Sequence, residues 1–279
     1  MNKTKGTIIN LILALGILVV VFPFIYMILT ALQKNSYVLP HPQDLFDDLI
    51  HFKFYLGNFA KAWTEGNFQR YFMNSLVVAS FATVVGVFIS ALTAYAFARF
   101  QFPFKEPLFK IFLISMMIPG LFNIIPIYTV VHSLGLVDTY SGLLLVYVCT
   151  GIAGNTFFLR GFFEQVPREM EESVVVDGGG RWTIFRHIYL PMSKPAIATQ
   201  AIFAFMGSWD EFFVALTLIK TESKRTLPIA LQMFQGVHGT EWGLFFSASL
   251  IALIPSIIIF IIFQKYFVQS GQNEGAVKG

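Results

Sequence analysis

Residues 166–197 read VPREMEESVVVDGGGRWTIFRHIYLPMSKPAI, and hydrophobic sequence lies on both sides. The stretch holds Arg168, Glu169, Glu171, Glu172, Asp177, Arg181, Arg186 and Lys194, in a chain that is only 13% charged. A polar island of that density between apolar runs lies outside lipid, where charged side chains are expensive. Pro167 suits the first turn of a helix. Arg168 and Glu172 are spaced to pair at i,i+4. Gly178, Gly179 and Gly180 end that helix, because glycine accepts left-handed backbone beyond a C-cap. A second helix is predicted over 182–189, stopped by Pro191 and Pro195. The island therefore reads as helix, glycine turn, helix. Helices of about ten residues are marginal alone in water. Packing must hold them, on the chain's own membrane helices or against a partner. A solvated re-entry loop is the plainer reading, but it has no need of two helices, a triple glycine and a proline stop.

Away from the island the chain is written for a membrane. It is 56% hydrophobic with a mean hydropathy of +0.67, well above a soluble domain. A hydrocarbon core about 30 Å thick takes about 20 apolar helical residues to cross. Runs without Lys, Arg, Asp or Glu cover 8–33, 71–98, 111–137, 139–159 and 242–264. A sixth, 195–219, is interrupted only by Asp210 and Glu211. The fold class predicted is an all-α membrane protein with six transmembrane helices. The short alternating segments of a barrel are absent.

Orientation follows the excess of Lys and Arg in cytoplasmic loops. With the N-terminus inside, twelve of these residues fall inside and seven outside. Both termini and the island are therefore expected in the cytoplasm. The net charge of +3 reflects this arrangement. No basic stripe with interleaved aromatics points to nucleic acid. The first apolar run is too long for a signal-peptide core and is expected to remain as an anchor. The single cysteine, Cys149, lies in a span and has no internal disulfide partner.

Within the spans, Pro23 predicts a kink, and the last span contains Pro255. The segment 59–72 has apolar residues at Phe59, Trp63, Phe68 and Phe72. It fits either an amphipathic helix on the membrane surface or a cap over helix ends. Ala82, Gly86, Ser90, Ala94 and Ala98 recur every fourth residue and give one smooth face for close helix contact, within this chain or against a second subunit. Pro119, Gly120 and Pro126 interrupt the third span. Freed carbonyls are tolerated against protein or a water-filled cavity, so this span reads as a pore liner or as a simple packing kink.

Chemistry is mostly absent. No G-x-x-x-x-G-K-[ST] loop occurs, and the triple glycine is followed by Arg181 and Trp182, so the chain is not an ATPase. His41, His51, His132, His187 and His238 have no metal-ligand spacing. No catalytic constellation and no metal site are predicted. Trp209, Asp210 and Glu211 stand out, because ionisable groups in a span face a cavity or a partner. Adjacent residues on a helix diverge by about 100°, so the two carboxylates cannot face one point. Trp209 offers a flat face for a sugar ring, with the carboxylates accepting hydroxyl hydrogen bonds. The plainer reading is that the motif stabilises a bend. An ion-driven transporter using Asp210 or Glu211 is the alternative functional class.

The island also resembles a known family. Glu172-Ser173-Val174, Asp177-Gly178 and Ile188-Tyr189-Leu190-Pro191 are similar to the EAA loop of permease subunits of ATP-binding-cassette importers. The fuller pattern Pro-x-Glu-Leu-x-Glu-Ala-Ala-x-x-Asp-Gly-Ala-x-x-Trp-x-x-Phe belongs to the carbohydrate branch, the MalG-like subunits. Here it stands as Pro167, Glu169, Met170, Glu172, Asp177, Gly178, Trp182 and Phe185, with Ser173 and Val174 in place of two alanines. Tyr71 to Ser75, Ala94 to Arg99, Met117-Ile118-Pro119 and the tail from Gly275 are also similar to family segments, and Asp210 departs from the family's asparagine.

This resemblance implies a type I importer permease fold. It implies an anchor helix and external segment over 1–69, a transmembrane domain over 70–268 with its coupling loop at 166–195, and a tail over 269–279. It assigns Glu171, Glu172, Asp177, Gly178 and Arg181 to coupling with an ATPase, and Val277, Lys278 and Gly279 to contact with the ATPase dimer. It leaves Trp209, Asp210, Glu211 and Pro119 as candidates for the translocation path. Expected partners are a second homologous permease, two ATP-binding subunits, an external solute-binding protein, a carbohydrate substrate and membrane lipid. No cofactor is expected on this chain; ATP and magnesium belong to the partner ATPases.

Overall fold

The computed structural model describes residues 3–34, 37–51, 54–236 and 239–276. Its helices are α1 (Lys3–Ala31), α2 (Pro42–Ile50), α3 (Gly57–Thr64), α4 (Phe68–Arg99), α5 (Lys105–Met116), α6 (Ile124–Ser133) and α7 (Tyr140–Glu164), followed by α8 (Arg168–Val176), α9 (Arg181–Ile184), α10 (Leu190–Met192), α11 (Lys194–Trp209), α12 (Phe213–Leu218), α13 (Leu227–Met233) and α14 (Trp242–Ala276). The one strand pairing among the described residues is a two-residue antiparallel contact, Gln235–Gly236 with Gly239–Thr240. The expected all-α class holds.

Four stretches among the described residues are long and apolar enough to cross a membrane: Ile9–Ala31, Gly57–Arg99, Tyr140–Glu164 and Trp242–Lys265. The predicted third span is not one helix. Lys105–Met116 and Gly120–Ser133 meet at 102°, a broken span or a re-entrant loop. Pro119 lies in extended backbone at the break, while Pro126 sits inside the first turn of α6, where its missing N–H removes no helical bond. The predicted span 195–219 divides into α11, 16 residues and so about 24 Å long, and the six-residue α12.

The chain forms two compact units. The first comprises Met1–Arg70 and Ala230–Ile254. In it α1 runs uninterrupted through Pro23. Asn58 ties off the end of α1, donating to the carbonyls of Ala31 (2.8 Å) and Gln33 (2.7 Å). Lys61 pairs with Glu241 at 3.0 Å. Of the two readings of 59–72, one continuous amphipathic helix is not the one observed, because Gly66 and Asn67 take left-handed backbone between α3 and α4.

The second unit comprises Tyr71–Ile229 and Pro255–Gly279. Its first core joins Val78 and Ala82 of α4 to Leu143, Val146 and Tyr147 of α7 and to Ala215 and Leu218 of α12. Its second joins Ala91, Ala94 and Tyr95 of α4, Leu159 and Phe163 of α7, and Ile184, Phe185, Ile188 and Tyr189 of the island. The small-residue face of α4 is consumed inside this unit. Ala82, Gly86, Ser90 and Ala94 are buried, and a Cβ built on Gly86 would lie 3.9 Å from the Cα of Val148 on α7. The intramolecular reading of that stripe is the one observed.

Candidate functional site

The island folds as helix, turn, helix, and its turn is specified atom by atom. The N–H of Gly178 donates to the carbonyl of Val175 at 3.0 Å, and that of Gly179 to the carbonyl of Val174 at 2.8 Å. These are the two bonds of a Schellman cap. Gly178 sits at φ +78°, where a side chain is strained. After Gly180 the chain runs as α9, a π-helical stretch at Phe185–Tyr189, and α10. Pro191 therefore does not stop the second helix as expected. The wider π turn before it leaves room for its ring, and the run ends at Ser193.

The inner face of the island is anchored on two membrane helices. Glu171 lies 3.1 Å from Nε of Arg99, the last residue of α4, and accepts a hydrogen bond from the hydroxyl of Tyr189. Arg99 in turn donates to the carbonyls of Phe163, at 3.0 Å, and Val166. Tyr95 donates to the carbonyl of Arg181 at 3.4 Å, and the Arg181 guanidinium stacks 4.5 Å from the ring of Phe100. Burial, then the bond to Glu171, pushes the Tyr189 hydroxyl well above the usual tyrosine range, so it stays a donor.

The outer face carries what is left over. Val176 is 86% exposed and Trp182 56%, with Met170 and Val175 also exposed. Glu172 and Asp177 lie on this face. The predicted pair between Arg168 and Glu172 does not form among the described residues. Of the five residues assigned to coupling, Glu172, Asp177 and Gly178 are exposed in the chain, Arg181 is exposed but stacked, and Glu171 is turned inward. The residues that sequence reasoning passed over are Arg99 and Tyr189. Both lay inside quoted motifs, but nothing in the spacing joined position 99 to position 171.

The second candidate region is the break between α11 and α12. Trp209 is 2% exposed, stacked on Phe205 at 5.6 Å and edge-on to Phe72 at 5.4 Å. Its ring packs among aromatic neighbours and presents no open face in this structure, which fits the bend-stabilising one of the two readings the sequence left. Glu211 accepts from the Tyr147 hydroxyl at 3.0 Å and from the amides of Val214 (2.8 Å) and Ala215 (2.9 Å). It satisfies the otherwise free N–H groups at the start of α12. Asp210 is exposed in this chain, and so is Pro119. The two carboxylates lie in the non-helical break, not on one helix as expected, and Glu211 takes the bend-stabilising role.

A third cluster was not foreseen. Asp138, at φ +60°, accepts at Oδ1 from the amides of Lys220 (3.0 Å) and Thr221 (2.8 Å). Its Oδ2 accepts from the Thr221 hydroxyl at 2.5 Å and from Lys224 Nζ at 3.1 Å. The Thr221 hydroxyl and amide hold this carboxyl well below its ordinary value. Tyr71 donates to Glu222, Asn74 to the carbonyls of Ser223 and Arg225, and the Leu227 amide to Ser75. The residues between α12 and α13 are thus clasped from two sides. Asp138 had no signal beyond its place in a turn. Val277, Lys278 and Gly279 lie outside the described residues, while α14 carries the start of the tail, through Ala276, as helix. No cluster of three metal-binding side chains occurs among the described residues.

Comparisons with known proteins agree with one another. Residues 86–270 match the family described as binding-protein-dependent transport system inner membrane component. The chain is 33% identical to the probable ABC transporter permease protein YurM of Bacillus subtilis, over 96% of its own length and 87% of that protein's. It is 34% identical to the trehalose/maltose transport system permease protein MalG of Thermococcus litoralis, over 94% and 93%. The arabinooligosaccharides transport system permease protein AraQ of Bacillus subtilis is 32% identical, over 94% and 92%. A chain in the crystal structure of a bacterial ABC transporter involved in import of the acidic polysaccharide alginate aligns with a TM-score of 0.80 at 21% identity, covering 95% and 97%. At that identity the likeness is one of fold.

Proposed function

The chain belongs to the binding-protein-dependent transport system inner membrane components, and from that membership we propose that it is one of two permease subunits of an ATP-driven importer for a sugar or oligosaccharide. The relatives named for trehalose/maltose and arabinooligosaccharide transport support the substrate class. In this reading six spans cross the cytoplasmic membrane, α5–α6 and α11–α12 each serving as one broken span, with both termini inside. A second permease completes the path. Two ATPase subunits bind ATP and magnesium, and an external solute-binding protein delivers the sugar.

The observation that carries the reading is the island's division of labour. Its inner face is bonded to α4 and α7, while its outer face presents Val175, Val176, Trp182 and Glu172. Exposed apolar groups around an unpaired carboxylate suit a protein partner. Glu172 pairs with a basic residue of the ATPase. Asp177, Gly178 and Arg181 shape and hold the turn, and Glu171 braces it from inside. Closure of the ATPases on ATP moves the helix pair and switches the path between outward and inward access. Asp210 and Pro119 line that path, with Trp209 and Glu211 supporting the bend beside it. The tail residues Val277, Lys278 and Gly279 reach the ATPase dimer. An ion-driven mechanism has less support, because Glu211 is committed to Tyr147 and two amides.

The test is Glu172→Arg. The variant is expected to insert in the membrane and to lose the co-purifying ATP-binding subunits, and uptake with them. Unchanged assembly and uptake would overturn the assignment.

A further inference from the structure

Arg99 ends α4, yet its side chain is only 7% exposed. A buried guanidinium is costly unless its charge and donors are matched. Nη2 donates to the carbonyls of Phe163, in the last turn of α7, and Val166, two residues past its end. Helix C-terminal carbonyls lack intrahelical donors, and the helix dipole there favours a cation. Nε lies 3.1 Å from Oε1 of Glu171, close enough for an ion pair though not aligned as a hydrogen bond. The same oxygen receives the Tyr189 hydroxyl, and the Tyr189 ring lies 5.3 Å from the guanidinium carbon. One side chain therefore joins the ends of two membrane helices to both limbs of the island.

We propose that Arg99, with Glu171 and Tyr189, is an internal rivet that makes the island move as one body with the ends of α4 and α7. Arg99 is then a positioning residue for coupling, not for docking the ATPase. The proposal rests on the function argued above. Its physical basis is the difference between two kinds of attachment. The aromatic packing of Tyr95, Phe163, Phe185 and Tyr189 resists separation but is non-directional and lets surfaces slide. The bonds from Arg99 to the Phe163 and Val166 carbonyls and the Tyr189–Glu171 bond set direction and register, and the Arg99–Glu171 ion pair draws the two together. Between its limbs the island has only the glycine turn at Gly178, held by two backbone bonds. Without the rivet, a push on the outer face bends that turn instead of driving the membrane helices.

The test uses the complete importer, purified with its partner permease, ATPases and binding protein in nanodiscs. Spin labels go on His187→Cys and Gln101→Cys, both exposed sites away from the docking face, in a Cys149→Ser background. The distance between them is read without nucleotide and after trapping with ATP, magnesium and vanadate. The native rivet is expected to keep that distance unchanged on trapping. Arg99→Gln is expected to shift it while ATP-binding subunits still co-purify and still hydrolyse ATP. Arg99→Lys, which keeps the charge beside Glu171, is expected to restore most of the constancy. If Arg99→Gln does not fold, Glu171→Gln is read in its place, since it removes the ion pair and leaves Tyr189 an acceptor. A distance that changes on trapping with Arg99 intact, or stays constant in the variant, overturns the rivet. Failure of the unmodified chain to co-purify with ATP-binding subunits would instead overturn the functional reading.

Discussion

A Cβ built on Gly179 would lie 2.4 Å from Cγ1 of Val174 and 2.9 Å from the Val174 carbonyl oxygen. Val174 carries a branched side chain against the inside of the turn, and a glycine at 179 leaves the space it fills.

Gly179→Ala is accordingly expected to cost about 1–3 kcal/mol through overpacking, and to weaken retention of the ATP-binding subunits. Adding Val174→Ala removes the methyl clash but leaves the close approach to the carbonyl. The double variant should recover part of the loss, with a coupling on the order of 1 kcal/mol between the two sites. Denaturation by detergent titration of the four proteins measures this. Strict additivity would mean the two residues do not share the space.

Glu211 replaces missing helix bonds at the start of α12 and also satisfies Tyr147. Glu211→Ala leaves two amides and a buried hydroxyl unpaired, expected to cost about 1–3 kcal/mol. Hydrogen exchange at the amides of Val214 and Ala215 should accelerate while exchange in the middle of α7 does not change. If those amides keep their protection, the carboxylate is not what caps α12.

Asp138 governs the loop after α12 through a depressed carboxyl. A folded-state value below the ordinary 3.8 means that its stabilisation is present above 3.8 and is lost as pH falls through the lower folded value. Protection of the Lys220 and Thr221 amides, corrected for intrinsic exchange, should stay level from pH 7 down to about pH 4. Asp138→Asn should reduce it across that whole range. A native loop that loosens well above pH 4 would contradict the clasp.

The membrane class was legible because charge-free runs of spanning length have one physical use. The island was legible because charges cluster there in helical spacing around a glycine turn. Two features resisted the same reading. Span 111–137 carries no Lys, Arg, Asp or Glu, and hydropathy does not register a 102° bend at Pro119. Trp209 and Glu211 looked like path residues because an isolated ionisable group in a span carries no mark of its partner. Here the partners are Phe72 and Phe205 for one, Tyr147 and two amides for the other.

Composition and periodicity settled that this chain lives in lipid and offers a paired-helix handle outside it, because solvent preference and helix caps act within a few residues. Which of the two neighbouring glutamates faces inward was decided only in three dimensions. Glu171 and Glu172 are alike in chemistry, and they differ because folding brings Arg99 and Tyr189, 72 and 18 positions away along the chain, to one of them and not to the other.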